Sequence, residues 1–197
     1  MNQFVTEQSL DAFLDHLHTK SPLSQASRTA LTRLAASISI HNLEILQPIG
    51  KTCRNIYFVQ HGAARIYYYK QDKDITEYFA FDHDIIIRAE SLFTGMPSNK
   101  GIQALDATSF IALAADPLFA LFDAHRDIER LFYKLVEQSF VDTIHRLENL
   151  QFCTAEERYR GLLNQAPQII QKIPLKYIAS YLGITQVSLS RIRSLMV

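Results

Sequence analysis

Cysteine is scarce, with only Cys53 and Cys153 in 197 residues. They lie far apart and form no close pair, so the spacings that bind zinc or iron–sulfur clusters are missing. Two reduced, largely buried thiols are the expected outcome. Net charge is absent too: 20 Lys and Arg balance 20 Asp and Glu. No apolar run approaches the length of a membrane span, because charged or polar residues interrupt each one. The opening residues, Met1 to Glu7, lack the basic patch and apolar stretch of a signal peptide. A cytoplasmic chain with no membrane partner is therefore expected. At 48% hydrophobic residues the chain can bury a proper core. Its length suits one domain, or a medium domain with a small one attached.

The neutrality conceals an asymmetry. Glu157 is the last acidic residue, and Arg158, Arg160, Lys172, Lys176, Arg191 and Arg193 follow it without an offset. A basic end on an otherwise acidic chain suggests a polyanionic partner for that end. An ordinary solvated basic face would look the same, so the motifs must decide.

Ser9 is placed to cap a first helix, with Leu10, Phe13, Leu14 and Leu17 spaced by three and four. Ser21-Pro22 ends it. A second helix is expected to carry Leu31, Leu34 and Ile38 on one face. From about Asn42 to Leu113 the apolar residues fall into short β-branched or aromatic runs: Leu43–Leu46, Ile56–Val59, Ala64–Tyr69, Thr76–Phe81, Ile85–Ile87, Ile102–Ala104 and Phe110–Leu113. Turn residues separate them, at Pro48-Ile49-Gly50, His61-Gly62, Gln71 to Asp74 and Phe81 to Asp84. This spacing predicts an antiparallel barrel or sandwich. Asp116-Pro117 opens helical sequence again. A long amphipathic run then carries Ile128, Leu131, Phe132, Leu135, Val136, Phe140, Ile144, Leu147 and Leu150. The stripe is wider than a one-sided helix needs. It can pack on the barrel and also meet a twin helix, so a homodimer is expected, with Leu131, Leu135, Ile144 and Leu147 on the dimer helix.

The segment from Leu175 to Arg193 carries the most specific pattern. Ile178, Leu182, Ile184, Leu189 and Ile192 are in phase to form the small core between two crossed helices. Ala179 is small where the helices approach. Gly183 can end the first helix with a positive φ, Thr185 can cap the second, and Pro174 suits the first turn. This is the pattern of a helix-turn-helix. Its second helix would enter the major groove of double-stranded DNA, with Thr185 at its start and Gln186, Ser188 and Arg191 reading bases. Arg can grip a guanine edge bidentately and Gln an adenine edge. Lys176, Ser180 and Arg193 are expected to face phosphates.

The order of these parts resembles the Crp/Fnr family of regulators. The likeness is carried by Ala155-Glu156-Glu157-Arg158-Tyr159, by Ile173 through Thr185 and by Ser188 through Arg193. It extends to Ile56-Tyr57-Phe58-Val59 with Gly62, to Glu77 through Phe81, and to Glu90 through Ser98. The resemblance implies an α+β chain. N-terminal helices and an antiparallel, cupin-like β-roll would form a sensor over residues 1–117. A dimerisation helix would span 118–152 and a helix-turn-helix domain 153–197, without a full wing because the sequence stops at Val197. It implies a ligand-modulated transcriptional regulator, not an enzyme, that binds a palindromic operator and answers a small-molecule effector.

Two departures qualify the likeness. Cyclic-nucleotide binders of the family have Gly-Glu, then Arg with Ser or Thr about ten residues on. Here Ala89-Glu90 stands first, and Asn99 or Lys100 falls where the phosphate-gripping Arg would be; Lys is no equal of Arg in that geometry. Glu90, Ser91, Ser98, Asn99 and Lys100 are the pocket candidates, but the cassette counts against cyclic AMP, and no cofactor or metal is expected. Val187 occupies a position where relatives often have a Glu that reads cytosine. The seven histidines are scattered, and His16 and His18 sit two apart on a helix, pointing in different directions. Two other readings compete: a sensor or protein-interaction module whose shortened helix-turn-helix no longer binds DNA, and a cupin-type metalloenzyme. The latter needs a close His pair on the strands, where only His61 and His83 occur.

Overall fold

The computed structural model describes residues 7–167 and 169–195. Helix α1 spans Glu7–Lys20, so Ser9 lies inside it instead of capping it. Helix α2 spans Gln25–Leu34 behind a cap that sequence reading passed over: the Ser24 hydroxyl accepts from the Ser27 N–H at 3.2 Å. The chain turns extended at Ala35, well before Asn42. Strand β1 covers Ala35–Ile40 and includes Ile38, which therefore shares no helical face with Leu31 and Leu34. The β-branched Ile38 and Ile40 fit a pleated surface better than a further helical turn.

Seven more strands follow: β2 Ile45–Gln47, β3 Asn55–His61, β4 Ala64–Lys70, β5 Lys73–Ala80, β6 Ile85–Ile86, β7 Gly101–Ala104 and β8 Thr108–Ala114. A short helix α3, Ala89–Thr94, interrupts them. The strands form two antiparallel four-stranded sheets, ordered β1-β8-β3-β6 and β2-β7-β4-β5. Each of the seven predicted runs overlaps a strand. The stretch Gln71 to Asp74 is not all turn, however. Only Gln71 and Asp72 lie outside the strands, both with positive φ (49° and 60°), so the β4–β5 hairpin is a tight two-residue turn.

Alternation of side chains gives the first sheet two buried faces. Tyr57 and Val59 of β3, with Phe110 and Ala112 of β8, join Ile66, Ile86 and Ile102 between the sheets. Ile56 and Phe58, with Ile111 and Leu113, turn outward onto α1, α2 and the long helix. This double burial explains why β3 and β8 read as unbroken apolar runs.

Helix α4, Ala115–Ala120, starts one residue before Asp116-Pro117. The long helix α5 runs Arg126–Phe152. Asp127 in its first turn ties it to α2, accepting from Ser24 N–H at 2.7 Å and from Ser27 Oγ at 2.5 Å. Beyond it lie α6 Ala155–Gln165, α7 Ile169–Lys172, α8 Leu175–Leu182 and α9 Gln186–Leu195. Helix α6 opens on a capping box: Thr154 Oγ1 accepts from Glu157 N–H, and the Glu157 carboxylate accepts from Thr154 N–H at 2.7 Å.

Candidate nucleic-acid interface

Helices α8 and α9 form the hairpin expected from Gly183 and Thr185. Gly183 has φ 70°, and its N–H returns to the Ser180 carbonyl, closing α8 in a left-handed cap. Thr185 stands ahead of α9 and its hydroxyl accepts from the Ser188 N–H at 3.1 Å. Ile178, Ala179, Leu182 and Leu189 are buried between the helices, with Tyr159 and Leu162 of α6 completing this small core.

Because Leu189 is fully inward, the residues about 180° away on the helical wheel, Val187 and Arg191, form the outermost ridge of α9. Gln186, Val187, Ser190 and Arg191 are exposed there together. This corrects the expected reading face at one position. Ser188 is half-buried, and its hydroxyl lies 3.0 Å from Thr185 Oγ1, so it belongs to the cap. Val187 and Ser190 were not among the expected readers, although they share this exposed face opposite or beside Leu189.

The phosphate candidates separate. Lys176 is exposed on the first turn of α8, with Nζ 4.7 Å from the Tyr177 ring centre. Arg193 is half-buried. Ser180 is engaged within the chain: its Oγ accepts from the Thr76 N–H of β5 at 3.1 Å and donates to the Tyr177 carbonyl at 3.0 Å. The basic tail is also less free than its sequence suggests. Arg158 donates to the Leu182 carbonyl at 3.1 Å and to that of Cys153, fastening the C-terminal end of α8. Arg160 pairs with Glu156 at 2.7 Å. Lys172, Lys176 and Arg191 keep exposed cations.

The pocket candidates do not converge. Glu90 and Asn99 are exposed. Ser91 is structural: its hydroxyl accepts from Cys53 N–H at 2.9 Å and donates to the Met96 carbonyl at 2.7 Å. Ser98 is buried and bonds locally to Lys100. Lys100 is half-buried, and its Nζ pairs with Glu77. A cleft of about 790 Å³ opens beside this pair, between α1, β4, β5, β6 and α5. Glu77, Arg88, Asp142 and Arg146 line it, against walls from Ile66, Tyr78 and Ile86. Arg88 is buried and bonds Glu77 at 3.4 Å, while its Nε has no partner. Sequence reading missed Arg88 because it falls between the Ile85–Ile87 run and the Ala89-Glu90 cassette and belonged to neither.

Along α5 the stripe divides. Leu131 is buried in its own subunit, and Leu135 packs against the same core. Tyr133, Phe140, Ile144 and Leu147 are exposed, spaced by seven, four and three. The dimer positions Leu131 and Leu135 therefore belong to the intrasubunit face, and Ile144 and Leu147 to the open one. Cys53 is buried and Cys153 half-buried, both free thiols. Among the described residues no group of three His, Cys, Asp or Glu side chains is arranged to hold a metal ion. No helix among them is long and apolar enough to cross a membrane.

The arrangement of a β-roll, a long helix and a terminal helix-turn-helix has clear structural counterparts. FixK2 from Bradyrhizobium japonicum is similar at TM-score 0.71 and 19% identity, covering 82% of this chain and 84% of that one. A protein described as a Crp/Fnr-family transcriptional regulator from Eubacterium rectale is similar at TM-score 0.67 and 20% identity, covering 86% and 82%. A CooA variant from Carboxydothermus hydrogenoformans is similar at TM-score 0.65 and 18% identity, covering 97% and 85%. No sequence-family description matches the chain, and no curated protein matches it by sequence. The chain thus has the fold of the Crp/Fnr-type regulators, an α+β architecture of β-roll and C-terminal helices.

Proposed function

We propose that this chain is a DNA-binding transcriptional regulator that works as a homodimer and has no enzymatic activity. Residues 1–117 act as sensor, 118–152 as dimerisation helix and 153–197 as the DNA-binding part. The observation that carries the reading is the capped helix α9 with Gln186, Ser190 and Arg191 exposed beside Val187 on its outer ridge. A helix presented this way can lie in a major groove, with Arg191 as the guanine reader and Lys176 as a phosphate contact. The open stripe of Phe140, Ile144 and Leu147 supports pairing of two α5 helices, which would present two recognition helices to a palindrome.

The cleft between β5, β6 and α5 is read as the effector site, for a small molecule with an anionic group. Cyclic AMP suits it poorly. Lys100, nearest in sequence to the missing Arg, is already paired with Glu77, and Glu90 points to solvent.

The test is selection of a DNA site from a random pool, followed by competition against scrambled DNA at two salt concentrations. Arg191→Ala should cost about 1–3 kcal/mol on the selected site and relax preference at one position per half-site. Lys176→Ala should weaken all sequences alike and flatten the salt dependence. A wild-type protein with no preference for any sequence would instead favour the sensor module without DNA binding.

A further inference from the structure

Strand β5 is an edge of its sheet, the last in the order β2-β7-β4-β5. Edge strands leave backbone groups unpaired. Here α8 covers that edge, because the Thr76 N–H donates to Ser180 Oγ at 3.1 Å. Beneath lies Arg65 of β4, with only 2% of its side chain exposed. Its guanidinium is bound bidentately by Asp74 at 2.6 and 2.7 Å and donates to Thr76 Oγ1 and Gln103 Oε1. The Tyr177 ring of α8 covers it, with Cζ 3.8 Å from the ring centre. Phe79 of β5 meets Tyr181 of α8 at a centroid distance of 5.0 Å. An Arg with every polar arm engaged and an aromatic ring on its face is a fixed platform, not a mobile surface cation.

One further contact comes from a different element. Arg146 of α5 donates to the Tyr181 carbonyl, and its Cζ stands 3.8 Å from the Tyr181 ring centre. Arg146 is also part of the cleft wall, with Glu77, Arg88 and Asp142. Burial lowers its pKa, and Glu77 is among the groups that raise it. The same guanidinium therefore fastens the helix-turn-helix on one side and faces the cleft on the other.

We propose that Arg146 is a positioning residue that couples the cleft to the helix-turn-helix: it holds α8 on the β5 edge, and an anionic group entering the cleft draws it off. The regulatory meaning rests on reading the cleft as the effector site; the contact itself does not. A carboxylate beside Arg146 competes with a neutral carbonyl for the same donors, and the charged acceptor makes the stronger bond. Release of Arg146 removes one of the polar ties on α8 and frees the Thr76 amide to open.

Hydrogen exchange of the Thr76 amide in the full chain reads this directly, because its acceptor belongs to the helix-turn-helix. Thr143 lines the cleft one helical turn before Arg146, so Thr143→Glu supplies an anion without an identified ligand. Thr143→Gln is the neutral control. Thr143→Glu should raise Thr76 exchange about tenfold, as expected for loss of a charge-assisted bond. Thr143→Gln should leave it unchanged, and so should amides of Phe110 and Ala112 in the β-roll interior for both variants. Arg146→Gln should raise Thr76 exchange by itself, Arg146→Lys should restore part of the protection, and Thr143→Glu should add nothing to Arg146→Gln. Equal exchange in Thr143→Glu and Thr143→Gln, or full Thr76 protection in Arg146→Gln, overturns the coupling. Those results do not depend on DNA, so failure of DNA binding and failure of the coupling are told apart.

Discussion

Asp127 shows how much one side chain can do when its environment is built for the charged form. Burial raises its pKa, but bonds from the Ser24 N–H and the Ser27 hydroxyl outweigh that and bring it down to about 2. A carboxyl depressed in the folded state contributes stability above its unfolded pKa and loses it as pH falls through the folded value. The contribution of Asp127 should therefore be complete at neutral pH and disappear between about pH 4 and pH 2. Because solvent screens this partly exposed carboxylate, Asp127→Asn should destabilise the chain by no more than about 1 kcal/mol at pH 7, by denaturant titration, with the two proteins converging near pH 2. An equal gap at both pH values would mean that packing, not charge, accounts for the loss. Arg191 and Arg158 make the complementary point. Both are cations in the same basic tail, yet Arg158 fastens two carbonyls while Arg191 projects from the ridge opposite Leu189. Counting charge along the sequence cannot tell them apart; only the partners in three dimensions can.

At the scale of elements, what was readable in advance depended on whether the signal was local. The α8–α9 hairpin was legible because its period, its left-handed glycine and its cap all lie within a dozen residues and agree. The seven strand runs were legible from β-branched content and turn residues, though β1 was hidden. Ile38 continues the apolar spacing of α2, and only pairing with Phe110 in β8 reveals it as a strand. Ser180 failed for a related reason. Its helix was correctly placed, but its direction is decided by Thr76, 104 positions away. The cleft residue Arg88, between β6 and α3, was missed because its partner Glu77 lies on β5, 11 positions earlier. Helix α5 is legible in period and ambiguous in partner: Leu131 turns inward, and Phe140 remains outside with 66% of its surface exposed. If two copies pair through this outer stripe, Phe140→Glu combined with Ile144→Glu should give monomers with unchanged helical content. Light scattering at micromolar concentration measures this, and a double variant that stays dimeric would place the interface elsewhere.

For the whole molecule, the packing of α8 on the edge of β5 has a consequence for colloidal behaviour. A bare β-edge is a template for another chain, and the Thr76 amide sits in the middle of one. Helix α8 thus covers an edge that could otherwise pair with a second copy of the chain. A chain ending at 152 should keep the two sheets and self-associate through β5 into species that grow with concentration and time. It should be seen as rising scattered light and binding of an amyloid-type dye, neither of which the full chain should show. A truncated chain that stays monodisperse over days would mean that β5 is already protected by the twist and charge of its own hairpin. If the shielding holds, every motion that lifts the helix-turn-helix from the sheet carries a solubility cost, so selection on such a protein must limit how long that edge stays open.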